Sequence, residues 1–178
     1  MNTLSESVQI TIQFTKEAFK LLPEVTRKDY LSGTEQYRHL LGTREIKGNH
    51  IYILIHQVVD FIDYYKQTPH SLTNIRINEI FEMVRNASVF KGMELLGDIH
   101  THPVFPGDCK PYQSWHPSNS DIESMISWYE RDYLDPSIPY VYGIGGLLES
   151  LETGYNFYHL KKSADGYQNT EINWIEDK

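Results

Sequence analysis

Cysteine is almost missing from this chain: Cys109 is the only one in 178 residues. One thiol excludes an intrachain disulfide framework and a cysteine-rich zinc site. Positive charge is scarce as well. Sixteen Lys and Arg against 24 Asp and Glu give a formal charge of −8, which argues against a nucleic-acid partner, since such proteins normally carry a basic stripe. No apolar run reaches the length needed to span a bilayer. The opening MNTLSESVQITIQ has neither the cationic start nor the apolar core of a signal peptide. A soluble, cytoplasmic protein without membrane or nucleic-acid partners is therefore expected. Low-complexity tracts and internal repeats are also lacking. With 40% apolar and 22% charged residues, the expectation is one globular domain over 1–178, with a core of about 8–162 and a polar tail at 163–178.

What is present alternates between strand and helix patterns. Val8 to Phe14 (VQITIQF) alternates apolar and polar residues, as a half-buried strand does. Phe14, Ala18, Leu21, Leu22 and Val25 fall on helical spacing, which predicts a helix over about 16–31 that Pro23 must kink or end. Tyr37 to Thr43 and Ile51 to Val58 read as strands joined across Lys47, Gly48 and Asn49. Residues 61–77 read as a loop. Ile80, Phe81, Val84, Ala87 and Phe90 mark a second helix, and Met93 to Ile99 a buried strand running into His100. A third helix carries Ile122, Met125, Ile126 and Tyr129. Tyr140 to Leu148 and Tyr155 to Leu160 complete the strands. The order predicts an α/β fold, a single three-layer α-β-α domain around a mixed central sheet.

The chemistry concentrates in residues 98–121, DIHTHPVFPGDCKPYQSWHPSNSD. His100 and His102 lie two apart, so in an extended strand both imidazoles face the same way. Pro103 stops the strand just beyond them. Asp121 sits one turn into the helix that opens at Ser118. Two imidazoles, one carboxylate and an open fourth position make a catalytic rather than a structural zinc site. Each part has a plainer reading: surface histidines for HxH, and a helix cap for Ser118 and Asp121. The combination favours metal.

HTHP followed by SNSD resembles the JAMM, or MPN-type, zinc metallopeptidase signature. EQYRHLLG, with Glu35, Leu40 and Gly42 in register and Arg38 where a small residue is usual, resembles the family's upstream Glu segment. The resemblance covers about 8–162 and implies the three-layer, cytidine-deaminase-like fold. It makes His100, His102 and Asp121 the ligands of one zinc per chain, with water in the fourth position. Glu35 would be the general acid–base, and Ser118 would hydrogen-bond the oxyanion. The implied reaction is hydrolysis of an isopeptide or peptide bond after the glycine-ended tail of a ubiquitin-like protein, the tail docking as an added strand. Two other readings stand beside it: a catalytically silent scaffold that dimerises or binds partners, and a peptidase trimming a carrier protein such as a sulfur carrier.

The chain departs from the family pattern in one place. Fourteen residues, Val104 to Pro117, separate Pro103 from Ser118, about twice the usual spacing. Tyr112 and Trp115 in this loop are candidates for a wall of the substrate groove. His116 is an alternative third ligand, and Cys109 a soft one. Glu94 is the rival general base, on the same strand face as His100 but six residues, or about 20 Å, before it.

Overall fold

A computed structural model describes residues 8–25, 33–68, 71–73, 75–102, 116–135, 138–148, 150 and 152–176. Alternating apolar residues build nine strands among them: β1 Gln9–Phe14, β2 Tyr37–Lys47, β3 His50–Val59, β4 Lys66–Thr68, β5 Ser71–Thr73, β6 Glu94–His102, β7 Val141–Leu147, β8 Thr153–Ser163 and β9 Gly166–Glu176. Three α-helices join them: α1 Lys16–Phe19, α2 Ile77–Asn86 and α3 Asn119–Glu130. Seven strands close into a barrel in the order β1-β3-β2-β6-β7-β8-β9, and β4 and β5 form a separate hairpin. β9 seals the barrel by pairing parallel to β1, from Thr11 opposite Asn173 to Phe14 opposite Glu176.

This architecture corrects the expected three-layer α-β-α domain, and with it the assignment to the JAMM family. A layered sheet has two open edges and helices on both faces. Here the edges meet, and the inner face packs on itself. Ile12, Phe14, Ile53, Leu40, Ile99, Val141, Phe157 and Ile172 form one cluster to which every barrel strand contributes, so they fill the interior. The long helix expected over 16–31, which would have covered a second face, is one turn in the described residues. Thr15 caps it, and the chain leaves helical geometry before Pro23. Its Ala18 and Leu22 pack onto the interior cluster, while Leu21 is exposed.

The outer face of β2, β6, β7 and β8 carries a second core. α2 presents Ile77, Ile80 and Val84, and α3 presents Met125, Trp128 and Tyr129, against Leu41, Leu95, Tyr142, Ile144, Tyr158 and Leu160. Burying a side chain of this size contributes roughly 1.5–3 kcal/mol, enough to fix both short helices on the barrel. A register slip in the β2–β6 ladder, where Leu40 faces Gly97 but Leu41 faces Leu95, reverses the alternation of β6 at Leu96. Leu95 therefore joins the outer core with Asp98 and His100, while Leu96 and Ile99 turn inward. Gly97 lies at the tightest approach of β6 to β7: a Cβ there would stand 2.1 Å from the Val141 carbonyl oxygen. Residues 166–176, within the stretch read as a polar tail, are strand β9. Residues 61–77, read as a loop, contain a 3-10 turn and the β4–β5 hairpin. Among the described residues no helix is long and apolar enough to cross a membrane.

Candidate metal centre

Two elements meet at the end of β6. The strand holds His100 and His102 on its outer face, and α3 begins opposite them. Ser118 is the N-cap of α3: its Oγ accepts from the Asp121 N–H (3.3 Å), and the Asp121 carboxylate accepts from the Ser118 N–H at Oδ2 (2.7 Å). This capping box satisfies donors at the helix start and puts a carboxylate where the helix dipole favours it. It also turns the same carboxylate toward the histidines. Asp121 Oδ1 lies 3.2 Å from His100 Nε2, and Asp121 Oδ2 lies 3.2 Å from His102 Nε2. The two Nε2 atoms are 3.0 Å apart.

The three ligand atoms thus surround one point, all within 4.8 Å of one another. Tetrahedral zinc with bonds of about 2.0–2.1 Å separates its ligand atoms by roughly 3.3 Å; the two Nε2 atoms are close to that spacing, and each lies 3.2 Å from a different oxygen of Asp121. Two imidazole nitrogens and one carboxylate suit zinc and leave a fourth direction open. His100, His102 and Asp121 are therefore a group that could hold a metal ion. Their side chains are 11%, 17% and 19% exposed, so the point lies in a recess.

The electrostatics agree with a cation between these groups. Burial works against the charge of Asp121, but the hydrogen bonds and charges of His100 and His102 outweigh it and hold its carboxyl well below the usual range. Burial also opposes a charged His100; the Asp121 hydrogen bond and charge, with Glu35 and Asp98 behind them, raise its pKa above the ordinary value. Glu35 thus acts on His100 electrostatically. Main-chain ties explain its position. The Thr101 N–H donates to the Gln36 carbonyl (2.9 Å), and the Gln36 N–H donates to Thr101 Oγ1 (2.8 Å). The residue after Glu35 is therefore bonded twice to the residue between the two histidines.

The other candidates fall elsewhere. Glu94 forms an ion pair with Arg44 (2.8 Å) at the opposite end of β6, and the slip at Leu96 breaks the alternation that put it on the His100 face. His116 stands outside the ligand group, its Nδ1 3.1 Å from the Tyr158 hydroxyl. Ser118 Oγ donates to Asp121 Oδ2 (2.7 Å), so its hydroxyl is engaged with a ligand. Cys109, Tyr112 and Trp115 lie outside the described residues.

Sequence reasoning missed a buried group beneath the site. Asp98 precedes His100 by two residues, on the same face, and accepts from the Tyr140 hydroxyl (2.9 Å). Burial pushes its pKa up to about 6, against His100 and the two tyrosines Tyr140 and Tyr37. Opposite it on β2 lies His39, fully buried, with no hydrogen-bond partner on either ring nitrogen. Burial lowers the His39 pKa to about 3, and the nearby charge of Arg38 lowers it further; only the Val59 main chain favours its charged form. One signal was available in the sequence: Asp98 is the lone charge inside the run LLGDI.

No protein-family model and no curated protein matches the chain. Among solved structures it is similar to protein DSY2949 from Desulfitobacterium hafniense, at 21% identity and a TM-score of 0.48, covering 93% of this chain and 94% of that one.

Proposed function

We propose that this protein is a zinc-dependent hydrolase, binding one zinc per chain at His100, His102 and Asp121, that cleaves an isopeptide or peptide bond after the glycine-ended tail of a ubiquitin-like or carrier protein. One observation carries the reading: two histidines from a strand and a carboxylate from a helix cap converge with their ligand atoms within 4.8 Å of one another, and the charge of Glu35 acts on His100. Zinc, when bound, supplies Lewis acidity and a coordinated water of pKa about 7. The chain's own residues supply the rest. Glu35, tethered through Gln36 to Thr101, takes a proton and delivers it to the leaving amine. Ser118 holds Asp121 in place through its N–H and hydroxyl, and it donates to a developing oxyanion only by giving up the hydroxyl bond to Asp121.

The recess favours a slender substrate. With ligand side chains less than one-fifth exposed, the scissile bond must enter on residues with little bulk, as a glycine-ended tail does. The test combines metal analysis with mass spectrometry. Wild-type protein should carry close to one zinc and His102→Ala should lose it. Glu35→Gln should keep zinc yet slow turnover by about 10² to 10⁴-fold, the usual contribution of a positioned base. Offering zinc-loaded protein a ubiquitin-like conjugate and a carrier precursor separates deconjugation from processing. Release of neither product would leave a metal-binding interaction module.

A further inference from the structure

Asp98 is a buried carboxyl group on the face of β6 that carries His100. It is 3% exposed. No Lys or Arg pairs with it among the described residues; the ion pairs there join Arg38 to Asp60, Arg44 to Glu94, Lys47 to Glu45 and Arg76 to Glu79. His39, its registered neighbour on β2, is fully buried with both ring nitrogens unpartnered, a setting that keeps an imidazole neutral. Tyr142 lies opposite on β7, and Tyr140 donates its hydroxyl. The remaining neighbour is His100, one pleat along the same face, roughly 6.6 Å by strand rise. Past His100 lies the point where three ligand atoms converge.

The carboxylate is also held firmly. The Tyr140 ring stands edge-on to Trp128 of α3 (centroids 6.2 Å, 88°) and tilted against Phe81 of α2 (6.1 Å). Both helices therefore brace the hydroxyl that binds Asp98. Metal-ligating histidines are commonly supported from behind by a carboxylate, which sets ring orientation and raises ligand basicity.

Resting on the zinc reading, we infer that Asp98, fixed by Tyr140, is a positioning residue of the metal centre: the outer carboxylate whose negative charge sustains a cation at His100. A competing account makes Asp98 only a tie between β6 and the start of β7. The two differ in sign. As a tie, its loss destabilises the fold and leaves metal affinity alone. As a counter-charge, its loss relieves a buried carboxylate in the zinc-free protein and weakens metal binding.

The experiment measures zinc dissociation constants by chelator competition, and thermal unfolding with and without zinc, for wild type, Asp98→Asn and Tyr140→Phe. Asp98→Asn should weaken zinc binding by about 10- to 100-fold, with a zinc-free melting temperature equal to or above wild type. Tyr140→Phe should weaken binding in the same direction by less. Zinc affinity unchanged in Asp98→Asn overturns the inference while leaving the metal centre intact. Should Asp98→Asn fail to fold, unchanged affinity in Tyr140→Phe overturns it equally. A wild-type protein that binds no zinc removes the metal centre itself, and this inference with it.

Discussion

The two faces of β6 make different demands on the same nine residues. Inward, Leu96 and Ile99 meet Phe14, Ile53, Val141 and Phe157 in an apolar cluster, with Thr101 the polar residue buried on the same face. Outward, Asp98, His100 and His102 carry buried charge and imidazole nitrogens among tyrosines, with an unpartnered His39 opposite. The inner face is satisfied by shape and by one hydrogen bond, from the Gln36 N–H to Thr101 Oγ1. The outer face is satisfied only where each polar group finds a partner, and it leaves several waiting. Stability and chemistry are thereby separated by the thickness of one strand, so substitutions on the two sides should leave different signatures.

The largest effect should come from the inner face. Phe157→Ala opens a cavity beside Phe14 and Trp174 and should cost about 3–5 kcal/mol, read by denaturant unfolding, while the folded fraction binds zinc as before. A loss below about 1 kcal/mol would mean that the barrel interior is not the main source of stability. Next comes Gly97→Ala, which sits between the faces. Its methyl would collide with the Val141 carbonyl, forcing β6 from β7 at a cost of about 1–3 kcal/mol. Because the shift also moves His100, zinc affinity should drop too, the single change expected to damage both sides.

The outer face should reveal itself through pH. His39 has a folded pKa of about 3, below its ordinary value, so the unfolded chain takes up a proton that the native state refuses. Its contribution is complete above about pH 6.5 and is lost as pH falls from there toward 3, at up to about 1.4 kcal/mol per pH unit. His39→Leu should flatten that part of the stability curve; an unaltered slope would place the acid sensitivity on other groups. The smallest effect is Ser118→Ala, which removes the cap of α3 and one bond to Asp121. About 1 kcal/mol of stability should go, together with a modest loss of zinc affinity. Equal zinc binding would mean that the Ser118 N–H alone orients the carboxylate.

Local pattern announced most elements but not their closure. The strand patterns read at Tyr37–Thr43 and Ile51–Val58 and the apolar run before His100 appear, the first two lengthened, as β2, β3 and β6, and the Ser118 cap starts α3 where expected. β9 escaped notice because its ladder to β8 buries little beyond Ile172, so period-two alternation is faint in its sequence. Its parallel pairing with β1 joins residues some 160 positions apart, information that no local window contains. Without that pairing, alternating strands and helices look like a layered sheet. The group that could hold a metal was readable because its spacing is local: His100 and His102 on one strand face, Ser118 and Asp121 on one helical turn. Asp98, Tyr140 and His39 were not, because their significance lies in burial and in cross-strand register.

Closure of the barrel has a consequence for association. An open sheet ends in rows of unpaired N–H and C=O groups that invite strands from other molecules. Thr11–Phe14 of β1 and Asn173–Glu176 of β9, which would have been parts of such rows, spend those groups on each other. Where these segments pair, copies of this chain lack a template for edge-to-edge stacking, a protection against aggregation. The same stretch offers no main-chain ladder to an extended peptide, the way such peptides usually dock. Residues 166–172 of β9, which pair with β8 but not with β1, keep an open edge, as does the β4–β5 hairpin. Association through an added strand is confined to such edges.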